Sequence, residues 1–201
     1  MDLVLATRNP DKVRELRDLF SRDSRRDILL LSLSDFPDLS PIEETGRTLE
    51  ENAILKAQKV SQETKKITLS DDTGLEVEVL GGKPGVLSSR YARPGASYEE
   101  NRQKLLLSLQ GIPEEKRGAI FRCVAALATP EGWVKTFEGT FKGRIGFEPK
   151  GQGGFGYDPL FIVEGTDKTF AEMSLEEKNR LSHRAMAMRK VIDYLRKLEM
   201  S

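Results

Sequence analysis

Two rhythms of apolar residues run along this chain. Leu3 to Ala6 is a short apolar run that breaks off at Thr7-Arg8-Asn9-Pro10-Asp11-Lys12. Beyond it Val13, Leu16, Leu19 and Phe20 fall on one helical face. The opening segment therefore reads as strand, polar turn and helix, an arrangement in which backbone N–H groups at a helix start can meet a phosphate. Ile28 to Leu33 predicts a second strand, with a proline-containing loop after it. Thr48 and Glu51 stand at capping-box spacing, and Leu49, Ala53, Ala57 and Val60 predict the helix behind them. Lys56 falls on or near the apolar face of that helix. Ile67 to Leu69 predicts a strand delivering Ser70-Asp71-Asp72-Thr73-Gly74, after which Leu75, Val77 and Val79 alternate as a half-buried strand.

Gly81-Gly82-Lys83-Pro84-Gly85 is loop by composition. A helix is expected over Asn101 to Leu109, and an apolar strand from Ala119 to Ala128. Trp133, Phe137 and Phe141 line one face of an alternating segment that makes a hairpin partner. A second glycine-rich loop, Gly151 to Gly156, leads through Tyr157-Asp158-Pro159 to a strand at Leu160 to Val163. The last quarter reads as helical and charged, with a break near Ser182. Without an internal repeat, low-complexity tract or linker, the pattern predicts one α/β domain over residues 1–201.

Composition narrows the chemistry. Lys plus Arg number 32 and so do Asp plus Glu, which leaves no net charge and no basic footprint of a duplex nucleic-acid binder. One cysteine, Cys123, excludes an intrachain disulfide and a Cys-X-X-Cys motif; one histidine, His183, excludes a metal held by several histidines. Any catalytic metal must then sit on oxygen ligands, which points to Mg²⁺, Mn²⁺ or Ca²⁺. The amino terminus lacks the pattern of a signal peptide and no segment is apolar enough to span a membrane, so the expectation is a cytoplasmic protein without a membrane partner.

Several residue groups could carry chemistry. Thr7, Asn9 and Lys12 place a hydroxyl, an amide and an ammonium at a strand-to-helix turn, a cradle for phosphate or simply a polar helix cap. The chain has no Walker A loop. Glu43-Glu44 and Asp71-Asp72 are acidic pairs beside glycine turns that can hold a hard cation and leave positions for phosphate oxygens. In a strand Asp71 and Asp72 point to opposite faces, so one can serve a site while the other is structural. Lys56 either snorkels or reaches into a polar cleft. Phe155 in the loop Gly153-Gly154-Phe155-Gly156 can stack on a base or pack into the core, and a break near Ser182 can aim Lys178 and His183 at one place.

In this order, Ala6 to Lys12, Glu43 to Gly46 with Glu51 to Ala57, Ser70 to Leu75, Gly81 to Gly85, Ser89 to Ala92, Gly153 to Pro159, Ala171-Glu172, Lys178 and Ser182 to Arg184 resemble the inosine/xanthosine triphosphate pyrophosphatase family. The resemblance runs from Ala6 to about Ala187. It implies a central mixed twisted sheet flanked by helices, in two lobes with an active-site cleft between them. It also implies Mg²⁺-dependent hydrolysis of non-standard purine nucleoside triphosphates (ITP, dITP, XTP) between the α- and β-phosphates, with Mn²⁺ as a substitute metal.

By the same resemblance Asp72 is a metal ligand and the base for water, and Glu43 or Glu44 completes the metal site. Thr7, Asn9, Lys12 and Lys56 bind the triphosphate, and Arg8, Pro10, Asp11 and Thr73 are further substrate-binding positions. Phe155 stacks on the base, Gly156 and Tyr157 are substrate-binding positions beside it, and Asp158, Lys178, His183 and Arg184 read the base edge. A 6-oxo purine presents an acceptor there, whereas adenine presents a 6-amino donor and leaves buried donors unpaired. Thr73 stands where serine is common, and Arg8 where glycine is frequent. The resemblance further implies a homodimer; a nucleotide sensor that does not hydrolyse and a single-strand nucleic-acid binder are the competing readings.

Overall fold

The computed structural model describes residues 1–22 and 28–199. Among them seven strands form one sheet: β1 (Asp2–Leu5), β2 (Leu29–Ser32), β3 (Ile67–Val77), β4 (Pro84–Gly85), β5 (Gly118–Ala128), β6 (Val134–Ile145) and β7 (Phe161–Val163). Five α-helices accompany them: α1 (Pro10–Ser21), α2 (Leu49–Thr64), α3 (Tyr98–Ser108), α4 (Leu175–Leu181) and α5 (His183–Glu199). The strand order is β2-β1-β3-β5-β6-β7, with β4 paired to β3. β1 runs parallel to β2 and β3, while β4 and β7 pair antiparallel with β3 and β6, so the sheet is mixed and the fold α/β.

The described residues divide into two compact units. The first comprises residues 1–72, 123–139 and from 184 on; the second comprises residues 73–122 and 140–183. In the first, Leu16 and Leu19 of α1 and Met188 and Val191 of α5 pack with Leu3, Leu5 and Leu69 of the strands, the expected outcome of helical stripes meeting parallel apolar strands. Val60 of α2 packs with Val4, Ala6 and Leu33. In the second, Leu105 and Leu109 join Leu75, Phe121, Ile145, Phe161 and Phe170.

Local signals account for most element ends. Asn9 is the N-cap of α1 and Pro10 its first residue, where the missing N–H has no intrahelical partner to lose. Thr48 caps α2 by accepting from Glu51 N (3.1 Å), but Glu51 Oε2 accepts from Arg47 N (2.6 Å), one residue before the partner a capping box would use. The β5–β6 hairpin closes as predicted, with Thr129 N donating to Trp133 O and a left-handed Gly132 (φ 97°) in its turn. Two expectations need correction. Ile67 to Val77 is one strand rather than two, so Gly74 lies inside a strand and not in a turn; Ser70 to Thr73 simply continue the ladder. Pro84-Gly85 is not free loop but a two-residue strand against Leu75-Glu76.

Candidate active site

Of the predicted polar residues of the first unit, Lys12, Glu44, Lys56, Asp72 and Arg184 are joined in one network with Asp71. β1 ends at Leu5, which is in register with Leu69 of β3, and Ala6 N donates to Leu69 O (2.8 Å). The turn after β1 therefore lies beside the acidic pair of β3, which runs on past the carboxyl end of β1, the usual location of ligands in such sheets. Lys12, on the first turn of α1, reaches Asp71: its Nζ lies 2.8 Å from Oδ2 and 3.4 Å from the backbone oxygen.

Lys56 supplies the second cation. Leu49, Asn52, Ala53, Lys56, Ala57 and Val60 recur at three- and four-residue spacing and are all buried, so the stripe that packs α2 also carries Lys56 inward. Its Nζ donates to Glu44 Oε1 (2.7 Å), Asp71 O (2.8 Å) and Asp72 Oδ1 (3.1 Å). Asn52 Nδ2 approaches Asp72 Oδ2 at 3.4 Å while its Oδ1 accepts from Gly46 N (2.8 Å), tying the Glu-Glu-Thr-Gly segment to the acidic strand. Burial pushes the Lys56 ammonium down, but Asp72, Glu44 and Asp71 outweigh it and hold its pKa above the ordinary lysine value. At Asp72 burial dominates in the opposite sense: with the Glu44 charge beside it, the carboxyl is raised above the aspartate norm despite Lys56 and Lys12. A buried carboxylate of raised basicity is suited to accepting a proton.

The two aspartates serve different partners, as strand alternation requires. Asp71 is buried with its Oδ2 shared among Lys12 Nζ, Arg184 Nε (3.3 Å) and Arg184 Nη2 (3.2 Å), with the Cys123 thiol at 3.9 Å. Burial alone would raise its pKa; Lys12, Arg184 and Lys56 together depress it far below the carboxylate range. The two residues of the acidic pair at 43 and 44 also differ in surroundings. Glu44 is half-buried against Lys56, whereas Glu43 is exposed. Glu44 and Asp72 each place an oxygen within 3.1 Å of one ammonium, so their carboxylates converge on a cationic group and fit a hard cation that takes its remaining ligands from water and phosphate. Among the described residues, no three His, Cys, Asp or Glu side chains cluster as a self-sufficient metal site.

The turn from Thr7 to Lys12 differs from its expectation in one respect. The α1 amides of Asp11 and Lys12 donate to Asn9 Oδ1 (2.9 and 3.4 Å), and Asn9 N donates to Thr7 Oγ1 (3.2 Å). A strong N-cap occupies the amides that a phosphate would use. Arg8 is exposed and its Nη2 donates to Leu39 O (2.7 Å); Pro10 is exposed, and Asp11 Oδ1 accepts from Arg14 (3.3 Å).

The residues expected around a base lie in the second unit, with one exception. Asp158 Oδ2 accepts from Phe155 N (2.8 Å) and is ion-paired with Lys178 Nζ, both charged side chains being buried. The Lys178 ammonium lies 4.9 Å from the centre of the Phe155 ring and 5.7 Å from that of Phe170, within cation–π range. Gly154 has φ 66°, and a Cβ there would stand 2.2 Å from Asp158 Oδ2, so the loop needs glycine to close over that carboxylate. α4 ends at Ser182, whose extended backbone (φ −61°, ψ 157°) makes the predicted break, and His183 stacks on Phe121 at 4.5 Å and 16°. Phe155 and Gly156 are half-buried and Thr73 likewise.

Tyr157 faces the core instead. Its hydroxyl donates to Ser88 O (2.9 Å), and burial raises its pKa further above the phenol range. Arg184 is the exception: it belongs to the first unit, where Nη1 donates to Glu15 Oε2 (2.6 Å) and the rest of the guanidinium faces Asp71. Burial opposes its charge, yet Asp71 and Glu15 hold the pKa above the usual arginine value.

Sequence reasoning does not assign Glu15 and Asn52 to the site, yet both carry a readable signal. Glu15 stands four residues before Leu19 and Asn52 four before Lys56, so both lie on buried stripes where a polar residue requires a partner.

Residues 3–194 match the Ham1 family. A dITP/XTP pyrophosphatase of Elusimicrobium minutum is 50% identical over 192 residues, covering 95% of this chain and 98% of that one. A dITP/XTP pyrophosphatase of Bacillus subtilis is 45% identical over 190 residues, 94% of each. The solved structure of a HAM1 protein from Coxiella burnetii aligns with a TM-score of 0.87 at 38% identity, over 98% of this chain and 99% of that one.

Proposed function

The chain belongs to the Ham1 family, and from that premise we propose that it is a nucleoside-triphosphate pyrophosphatase acting on non-standard purine nucleotides. The reaction is hydrolysis of the anhydride between the α- and β-phosphates of ITP, dITP or XTP, giving a nucleoside monophosphate and pyrophosphate. The observation that carries this reading is the position of Lys56 Nζ, within 3.1 Å of Glu44, Asp72 and the Asp71 carbonyl at once. Such a cluster suits a polyanion that arrives with a divalent cation.

Glu44 and Asp72 are the residues that would hold Mg²⁺, which when bound supplies charge neutralisation for the triphosphate oxygens. Lys12 and Lys56 bind the phosphates and stabilise the charge that develops as pyrophosphate leaves, helped by the Thr7 hydroxyl. Asp72, more basic than an ordinary aspartate, takes the proton of the attacking water. Phe155 offers a face to the base, and Lys178 and His183 supply donors to a 6-oxo group. Adenine brings an amino donor to the same place, and the resulting mismatch discriminates against ATP by orders of magnitude. The same reading carries a homodimer acting in the cytoplasm.

The test is incubation of the protein and Mg²⁺ with ITP, dITP, XTP, GTP and ATP, with identification of the phosphate released. Pyrophosphate from ITP, dITP and XTP, at a kcat/KM at least about a hundredfold above that for ATP, is expected. Orthophosphate alone, or equal rates on ATP and ITP, overturns the assignment.

A further inference from the structure

The aromatic surface around Phe155 extends beyond the residues considered so far. Tyr98 is the first residue of α3, and its ring centre lies 6.0 Å from that of Phe155 at an interplanar angle of 40°. That separation is within the range in which aromatic pairs interact. Tyr98 is 39% exposed, so its side chain is not consumed by the core.

Its position is fixed from two sides. Ser97 and Glu100 form a reciprocal capping box at the start of α3: Glu100 N donates to Ser97 Oγ (3.2 Å) and Ser97 N to Glu100 Oε2 (2.7 Å). One turn along, Arg102 Nη1 donates to Gly156 O (2.9 Å) while Nη2 holds Glu99 (2.7 Å). The first turn of α3 is thereby latched to the residue that follows Phe155. Phe155 itself is anchored through its amide to Asp158. The two rings thus belong to one braced wall within the second unit.

We propose that Tyr98 is a second stacking residue of the base site and a determinant of its preference for bicyclic bases. A purine is larger than the single ring of Phe155, so a base lying flat on Phe155 overhangs it, and the overhanging edge meets the next aromatic along the wall. A pyrimidine is covered by Phe155 alone and gains little from Tyr98. The inference rests on the proposal that Phe155 receives the base, and it assigns the neighbouring ring a share of the selectivity.

The experiment compares the full-length protein with Tyr98→Ala, Tyr98→Phe and Phe155→Ala, using ITP, dUTP and a ribose triphosphate without a base. Tyr98→Ala is expected to raise KM for ITP about fivefold, the lower end of base–aromatic stacking, with kcat within about twofold. KM for dUTP and for the baseless triphosphate should stay put, and Tyr98→Phe should behave as the parent. An unchanged ITP KM in Tyr98→Ala overturns the proposal. In that case a raised KM in Phe155→Ala leaves the base reading standing, and an unaffected Phe155→Ala removes it as well. An equal rise for all three substrates, or a Tyr98→Phe as impaired as Tyr98→Ala, also overturns stacking by the ring. Tyr98→Trp gives an independent readout: titration with inosine monophosphate should quench its added indole fluorescence beyond any change in the parent, which carries only Trp133. Absence of extra quenching counts against the proposal.

Discussion

The two units bury charge in different ways. In the first, cations and carboxylates compensate one another: Lys12, Lys56 and Arg184 converge on Asp71, with Glu15, Glu44 and Asp72 completing the network. In the second, the buried ion pair Asp158–Lys178 sits against rings. Phe155 and Phe170 lie within cation–π distance of the ammonium, Phe161 stacks on Phe170 at 5.2 Å, and Phe121 stacks on His183. The contrast suits the proposed function. A polyphosphate needs several charges held ready in low dielectric, and a flat base needs a rigid, largely apolar surface with a few fixed polar groups.

Asp71 provides the hardest blow to that comparison. Replacing it with Asn leaves Lys12 and Arg184 facing a neutral amide, and breaking a buried ion pair from one side costs about 3–5 kcal/mol. Denaturant unfolding should report a loss of that order. A variant as stable as the parent would mean that the first unit does not depend on its charge network. Asp72→Asn comes next. Its partners Lys56 and Asn52 tolerate an amide, so the fold should survive by circular dichroism, while kcat falls by at least about two orders of magnitude from the loss of base and metal ligand. Near-normal turnover would move the catalytic carboxylate elsewhere.

On the second unit the effects should be smaller and of another kind. Phe155→Ala is expected to raise KM for ITP about tenfold with kcat nearly unchanged, because stacking is worth about 1–3 kcal/mol. The same rise for a baseless triphosphate would show that Phe155 supports the phosphate end instead. The fivefold effect expected at Tyr98 is the smallest and sharpens the comparison, since it should depend on the size of the base.

Much of this was legible in the chain. The stripe on α2 announced a buried face and put Lys56 on or near it; strand alternation separated Asp71 from Asp72; Ser182 was visible as a break. Other features were not. Adjacent Glu43 and Glu44 look alike in sequence, and only the approach of Lys56 separates the half-buried Glu44 from the exposed Glu43. The α1 amides looked available for phosphate, yet Asn9 takes two of them. Arg184 looked like the companion of His183, but a one-residue step at the start of a helix turns the side chain by about 100° and hands it to Glu15 and Asp71.

By itself, then, the sequence determined the local matters: helices and strands, their caps, and the motif order that resembles one family. Tertiary structure decided the pairings. Lys12 meets Asp71 across 59 residues and Arg184 meets Glu15 across 169, and no periodicity reaches that far. The reason is physical. Hydrophobic spacing reports which side of an element faces inward, whereas a buried charge is satisfied by whichever opposite charge the packing of the elements brings within about 3 Å.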